Sequence, residues 1–258
     1  MPSARKDCEM GFIQTKAVFR VQPSGERAYF DHGWLQTYHS FSFAEYYDPA
    51  NEHWGPLRVL NDDRIAPGQG FGTHPHRDME IITYVLQGEL EHNDSMGNRG
   101  VVGPGDVQYM SAGTGVRHSE FNHSSTAPLH LVQMWVLPSK LGVSPSYGQR
   151  AFTTEERLNR WLAIASGETS VSAPVRLMRD ATFFVSKLDG ASLNHAFGPN
   201  RLGFLFLAEG SVTAEGSSGE ARDSVELHSG DAIRIAGIDA LTVRGTGEAL
   251  LWDLPALA

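Results

Sequence analysis

Residues Glu80–Met110 read EIITYVLQGELEHNDSMGNRGVVGPGDVQYM. The run opens on a β-branched and aromatic stretch, Glu80 to Leu86, of the kind that fits a pleated, packed surface. Gln87-Gly88-Glu89 breaks it, and Leu90 to Asn93 is expected to return as the hairpin partner. Asp94-Ser95-Met96-Gly97-Asn98 is a second turn, Val101-Val102 a short strand, Gly103-Pro104-Gly105-Asp106 a third turn, and Val107 to Met110 another strand. Leu129 to Leu137 (LHLVQMWVL) is a further strong strand. Short strands punctuated in this way predict an all-β sandwich or barrel. The clearest helical signal is Thr153 to Ala165. There Thr154 can cap, Glu155 and Glu156 sit in the first turn, Leu158, Trp161, Leu162 and Ala165 share one face, and Ser166-Gly167 ends the run.

The second half echoes the first. Phe204-Leu-Phe-Leu-Ala-Glu-Gly210-Ser-Val212 parallels Ile82-Thr-Tyr-Val-Leu-Gln-Gly88-Glu-Leu90, and Leu227-His-Ser-Gly230-Asp231-Ala-Ile233 parallels Val102-Gly-Pro-Gly105-Asp106-Val107. In each half an apolar strand ends at a glycine, and a Gly-Asp turn into another strand follows. Duplication of one β-domain is the economical reading, with the 153–165 helix and the Ser/Gly/Thr-rich stretch 166–173 as connector.

At 258 residues, with 41% hydrophobic and 20% charged, the chain can bury a core without a disulfide or structural metal. The 27 Gly and 13 Pro favour many short strands over a few long helices. A net charge of -9 argues against direct nucleic-acid binding, which needs a basic stripe, and leaves room for a protein partner. Cys8 is the one cysteine, so no intramolecular disulfide can form and a cytoplasmic home is expected. Met1 to Met10 carries Arg5, Lys6, Asp7 and Glu9 and does not read as a signal peptide. No apolar run is long enough for a transmembrane helix.

The chemistry concentrates in Gly72-Thr73-His74-Pro75-His76-Arg77-Asp78-Met79-Glu80 and Gly113-Thr114-Gly115-Val116-Arg117-His118-Ser119-Glu120-Phe121-Asn122. Side chains alternate faces along a strand, so His74 and His76 share a face, and so do His118 and Glu120. If the two segments are neighbouring strands of one barrel, three imidazoles and a carboxylate converge inside it. That donor set suits iron, copper, nickel or zinc and leaves positions open on a six-coordinate metal. No thiolate is near, which excludes an iron–sulfur cluster or a cysteine zinc site. One H-x-H among 11 histidines is weak by itself; the second pair at matching parity makes the case.

These residues resemble a known family. Gly68 to Gly88 is similar to the first cupin motif, G-x5-H-x-H-x(3,4)-E-x6-G, and Gly105 to Asn122 to the second, G-x5-P-x-G-x2-H-x3-N. Gly33 to Asp48 (GWLQTYHSFSFAEYYD), Phe71 to Glu80 and Met110 to Asn122 look like the pirin family, densely over about residues 15–140 and loosely beyond. The resemblance implies a bicupin, two double-stranded β-helix (jelly-roll) barrels packed face to face with a short helical connector. Residues 1–140 would form the metal-binding barrel, and 141–258 the connector and a metal-free barrel. It carries the ligand set onto His74, His76, His118 and Glu120, in agreement with the parity. It implies one divalent transition metal, Fe(II) ahead of nickel, copper, manganese or zinc. The chain departs from the cupin pattern in that Glu80 comes one residue early, Ser111 replaces the motif proline, and two extra residues separate Gly113 from His118. Glu120 is therefore the preferred carboxylate. Glu80 stays a second candidate, because strict alternation puts it on the His74/His76 face. Equivalent counting in the second half lands on Ala196, Gly198, Val243 and Gly245, none of which can ligate a metal. His195 and His228 then read as surface or loop residues, and the second barrel as structural, or as a lid and partner surface.

Around the site, His32, His39 and Phe43 read either as an aromatic wall for a planar substrate or as a strand covering the barrel mouth. Arg77 and Asp78 would form a salt bridge or orient a histidine. His92 and His123 read as surface residues, and His130 alternates out of an apolar strand. For function, the resemblance implies a monomeric dioxygenase that opens the flavonol ring of quercetin with O2 and releases CO, Glu120 serving as the base that deprotonates the flavonol. The alternative is an iron-binding, redox-responsive regulatory protein acting through a protein partner. A non-redox cupin, such as an isomerase, fits the pirin-specific segments poorly.

Overall fold

A computed structural model describes residues 18–257; Cys8 and the charged segment before Val18 lie outside the described residues. The first half runs β1 (Val18–Gln22), β2 (Ala28–Asp31), β3 (Leu35–His39), β4 (Leu57–Ile65), β5 (Gly70–His76), β6 (Glu80–Gln87), β7 (Leu90–Asp94), β8 (Arg99–Val102), β9 (Val107–Ser111), β10 (Val116–Asn122), β11 (Leu129–Val136) and β12 (Ser146–Arg150). One helical turn, α1 (Thr154–Arg157), precedes β13 (Leu162–Ser166), β14 (Val175–Arg176), β15 (Thr182–Ala196), β16 (Arg201–Ser218), β17 (Ala221–His228), β18 (Ala232–Ala236) and β19 (Ala240–Pro255). The all-β, two-barrel expectation holds. Among the described residues no helix is long and apolar enough to cross a membrane.

The N-terminal barrel closes from a seven-stranded sheet, β12-β9-β6-β11-β4-β3-β2, and a four-stranded sheet, β5-β10-β7-β8. Leu90–Asp94 is a strand, as expected, but not the hairpin partner of β6. Both edges of β6 are taken, by β9 and β11, so β7 crosses to the facing sheet and pairs with β8 and β10. Gly88 makes that crossing: its φ is +80°, and a Cβ there would lie 2.6 Å from the carbonyl oxygen of Pro128.

In the C-terminal half the same path is drawn with fewer breaks. β16 runs unbroken through Gly210 (φ +95°), bending at a bulge between Leu207 and Glu209, where the first half splits into β6 and β7. The Gly-Asp turns are built alike. Gly105 N–H donates to Val85 (2.8 Å) and Gly230 N–H to Leu207 (2.7 Å). Asp106 Oδ2 accepts from Gly103 N–H (2.9 Å), and Asp231 Oδ2 accepts from His228 N–H (2.8 Å). The duplication read from the sequence is thus present down to individual hydrogen bonds.

The helix expected over Thr153–Ala165 is a single turn. Thr153, one residue earlier than expected, caps it, with its Oγ1 accepting from Glu156 N–H and Glu156 Oε2 accepting from Thr153 N–H. Asn159 then takes a left-handed φ of +53°, and Leu162–Ser166 pairs with β15 instead. Spacings of three and four placed Leu162 and Ala165 on a helical face, but a free sheet edge offered the backbone a ladder, and pairing prevailed over local pattern. Sheet membership also departs from a division at residue 140 at both ends. β1 pairs with β18 in the second barrel, and β12 with β9 in the first.

The two halves share one apolar seam. Phe41 meets Phe204 with ring centres 5.4 Å apart, and Trp252 Nε1 points at Met134 Sδ, 3.2 Å away. Among the charged groups that cross it, Arg157 of α1 binds Glu248 of the second barrel and donates to Tyr84 Oη of the first (2.8 Å), all buried. Replacing Arg157 by Met would leave Glu248 an unpaired buried carboxylate and should lower the unfolding free energy by about 3–5 kcal/mol. Urea denaturation would read this, and adding Glu248→Gln should recover most of the loss.

Candidate metal centre

β5 and β10 lie antiparallel with His118 opposite His74 and Val116 opposite His76. The expected parity therefore operates, and the three imidazoles meet in the barrel, ring centres 4.4 to 4.8 Å apart. Their ring nitrogens form one potential metal-holding group. A bulge between His118 and Glu120 shifts the register so that Glu120 faces Phe71 on one side and His92 on the other. Glu120 accordingly gathers in a second group, with His118 and His92, and His118 is common to both.

The outer hydrogen bonds fix which nitrogens carry lone pairs. His74 Nδ1 lies 2.8 Å from the carbonyl oxygen of Gly72, so Nδ1 bears the proton and Nε2 is bare. On the other side, Asp94 Oδ2 lies 3.2 Å from His92 Nε2, and His92 Nδ1 lies 3.4 Å from His118 Nδ1. With the His92 proton on the Asp94 side, His118 donates through Nδ1 and its Nε2 is also bare. The two bare Nε2 atoms face each other across 3.0 Å. Facing lone pairs repel unless a cation lies between or beside them, so the donors present fit a transition-metal ion. Burial, then repulsion from the neighbouring imidazoles, lowers His76 to about 4. Burial lowers His118 to about 4 as well, with Glu120 pulling the other way.

Glu120 is oriented by two amides: Gln108 Nε2 donates to Oε1 (2.6 Å) and Gln133 Nε2 to Oε2 (2.9 Å). Gln133 Oε1 in turn accepts from Trp135 Nε1 (3.1 Å), and the Trp135 ring meets His76 edge-on at 4.8 Å. Glu80 is elsewhere. The left-handed turn at Asp78 (φ +48°) separates β5 from β6 and breaks the alternation that linked Glu80 to the histidines. Its carboxylate accepts from Tyr109 Oη (2.9 Å), Met178 N–H (2.9 Å) and Arg179 N–H (3.3 Å), fastening β6 to the loop between β14 and β15.

His92 is fully buried and stacked on Tyr147 at 4.3 Å, not a surface residue. Its parity with Asp94 was visible in the sequence, but its facing strand was not. His195 is partly buried rather than a free surface residue, 2.8 Å from Asp253 and edge-on to Phe197. His228 is exposed, and His123 sits at the surface beside Glu91. His130 packs against Asp62 (2.6 Å) on the far face of β11. Asp78 accepts from Gly142 N–H (2.7 Å), and Arg77 is exposed. Val243 is apolar core, and among the described residues both metal-holding groups lie in the N-terminal barrel.

Two cavities adjoin the centre. One, of about 310 Å³, opens beside His76 between Arg77 and Arg117. The other, of about 270 Å³, lies between β3, β4 and Phe71 and is walled by Trp34, His39 and Phe43, with His32 at its edge. Phe71 packs on His74 and Phe43 on Trp135, so this second cavity is one side chain removed from the imidazoles.

Two outcomes follow from this geometry. Unfolded histidine titrates near 6.5, whereas His39, His76 and His118 sit near 4. Between those values the unfolded chain binds more protons, so the stability of metal-free protein is complete above about pH 6.5 and is lost as pH falls toward 4. Thermal melts of chelator-treated protein should show that decline, shallower in His39→Gln; a melting temperature flat across the window would contradict it. Glu80→Gln should cost about 1–3 kcal/mol of stability while leaving metal content, read by elemental analysis, unchanged.

Comparison with known proteins bears on the whole chain. The Pirin family profile matches residues 20–136. A profile described as a quercetinase C-terminal cupin domain matches residues 163–254. A quercetin 2,3-dioxygenase of Escherichia coli K12 is 42% identical over 238 residues, covering 91% of this chain and 98% of its own. A pirin-like protein of Caulobacter vibrioides is 42% identical over 210 residues, covering 81% and 90%. The crystal structure of the bacterial pirin YhhW from Escherichia coli in complex with nickel(II) superposes with a TM-score of 0.84 at 38% identity, covering 93% of this chain and 100% of that one. With both barrels matched and the paired histidine strands of the first barrel in place, the chain belongs to the pirin family.

Proposed function

We propose that this chain is a metal-dependent dioxygenase of the pirin type, holding one Fe(II) through His74, His76, His118 and Glu120 and opening the flavonol ring of quercetin with release of CO. The observation that carries the reading is the approach of His74 Nε2 and His118 Nε2 to 3.0 Å inside a barrel and beside an aromatic-walled cavity. The bound metal would supply a Lewis-acidic, redox-active centre for a flavonol oxygen and for O2. The residues supply the rest. Glu120, held at both oxygens by Gln108 and Gln133, would take the flavonol hydroxyl proton. Trp135, Phe43 and Phe71 keep the ring flat and water out. The relatives' names support the substrate class, and the single Cys8 supports a reducing, cytoplasmic setting. The regulatory alternative rests on the net charge of -9, which suits a protein partner.

Protein loaded anaerobically with Fe(II), Ni(II), Mn(II) or Cu(II) should consume quercetin on admission of oxygen, read by loss of the flavonol absorbance and release of CO. His74→Ala should abolish turnover, and Glu120→Gln should cut it by about 100-fold or more. No turnover with any metal would refute the enzyme reading. Anomalous scattering at the metal edge would locate the ion, and a Glu80 ligand would refute the ligand set.

A further inference from the structure

The cavity between β3, β4 and Phe71 has a floor as well as walls. Thr37 and His39 face the barrel interior from β3, and Asn61 and Asp63 from β4, with Thr37 opposite Asp63 and His39 opposite Asn61. All four side chains line the cavity and are 3 to 4% exposed. Four of their polar atoms, Thr37 Oγ1, His39 Nδ1, Asn61 Oδ1 and Asp63 Oδ1, meet no partner in hydrogen-bond geometry, although Thr37 stands close enough to Asp63 for its hydroxyl to favour the ionised carboxyl. Buried polar atoms are nearly always partnered, and each orphan costs stability. Four of them around one cavity are a concentration that neither the barrel nor its seam requires. At the neighbouring centre, by contrast, the buried carboxylate of Glu120 is held at both oxygens by amides.

We propose that Thr37, His39, Asn61 and Asp63 form a recognition floor for the hydroxyl groups of a polyhydroxylated aromatic ring, whose faces lie against Phe43, Phe71 and Trp34. The floor is made mainly of acceptors. Asn61 Oδ1 can only accept, and Thr37 Oγ1 and His39 Nδ1 can accept or donate. A ligand must therefore bring O–H donors, which phenols do and ethers or carboxylates do not. Burial, then the charges of Asp62 and Glu120, raise the Asp63 carboxyl to about 7, so it can either accept from a phenol or donate to one. A ring seated here stays in reach of the centre through Phe71 on His74 and through Phe43 and Trp135 on His76. The inference rests on the reading that the centre acts on a flavonol, and it assigns the pendant hydroxylated ring to this cavity.

Isothermal titration under anaerobic conditions tests it, with Fe(II)-loaded protein and flavonols carrying two, one or no hydroxyls on the pendant ring. A parallel pair is 1,2-dihydroxybenzene and its dimethyl ether. Affinity should fall by about tenfold from two hydroxyls to none, the scale of one or two lost hydrogen bonds. In Thr37→Val and in Asp63→Leu that ratio should shrink toward one. Both variants remove an orphaned polar atom and should melt no lower than the wild type, so lost discrimination would not be lost folding. Equal affinities across the wild-type series, or variants that keep the ratio, would overturn the assignment. If flavonols fail to bind but 1,2-dihydroxybenzene still outbinds its ether and the variants erase the difference, the floor stands and the flavonol reading falls. If no phenol binds, both fall.

Discussion

Phe204 of one half lies against Phe41 of the other, ring centres 5.4 Å apart, in a cluster to which both barrels contribute and which neither could bury alone. Each barrel turns one sheet toward the other. That sheet is buried on both faces, as the unbroken burial of Ile81 to Val85 records. Burying one face in the seam leaves the other free to line the barrel, and there polar residues are tolerated because the scaffold is already held. The inner face of β4 carries Asn61 and Asp63, and its outer face offers Leu60 to the seam. The functional interior thus depends on apolar packing outside it. The charge that Arg157 carries across the seam arrives already paired with Glu248.

Inside the first barrel, electrostatics does what packing does outside. Three imidazoles are gathered, burial holding His76 and His118 toward the neutral form, and the chain from Asp94 through His92 turns His118 so that its Nε2 points inward. A neutral, preorganised donor set is what a divalent cation needs, because its affinity is not spent on removing protons. The second barrel repeats the fold without the chemistry. The positions that match the ligands are Ala196, Gly198, Val243 and Gly245, Val243 packs in the core with Leu193 and Leu241, and the partly buried His195 is held by Asp253.

Much of this was legible in the sequence for a definite reason. Alternation is a property of the single strand, so the shared face of His74 and His76 could be read without knowing any neighbour, and the two Gly-Asp turns could be matched by eye. What was not legible depended on pairing between strands. Leu90 to Asn93 reads as a strand with β6 as its natural partner, because nothing local says that both edges of β6 are occupied. His92 was read as a surface residue for the same cause, since the element it faces, β10, is distant in sequence. Glu80 was kept as a candidate because alternation was carried through a turn that Asp78 breaks. The helix ending at Ala165 failed because Leu162–Ser166 found a sheet edge, which spacing alone cannot foresee. The orphaned atoms of Thr37, Asn61 and Asp63 are a fact of three dimensions only.

The exchange of end strands has a bearing on how the chain comes into being. Val18–Gln22 is synthesised before either barrel, yet its partner, Ala232–Ala236, is among the last segments to appear. Until then β1 has no ladder of its own, and the second barrel lacks an edge strand. The second half cannot finish without a piece of the first, and the first cannot finish without Ser146–Arg150 beyond its own last core strand. The duplicated halves have thereby given up independence. A gene fragment carrying one barrel would yield an incomplete sheet with an open, sticky edge, and any ancestral single-barrel unit must have closed that edge differently, most simply with a second copy of itself.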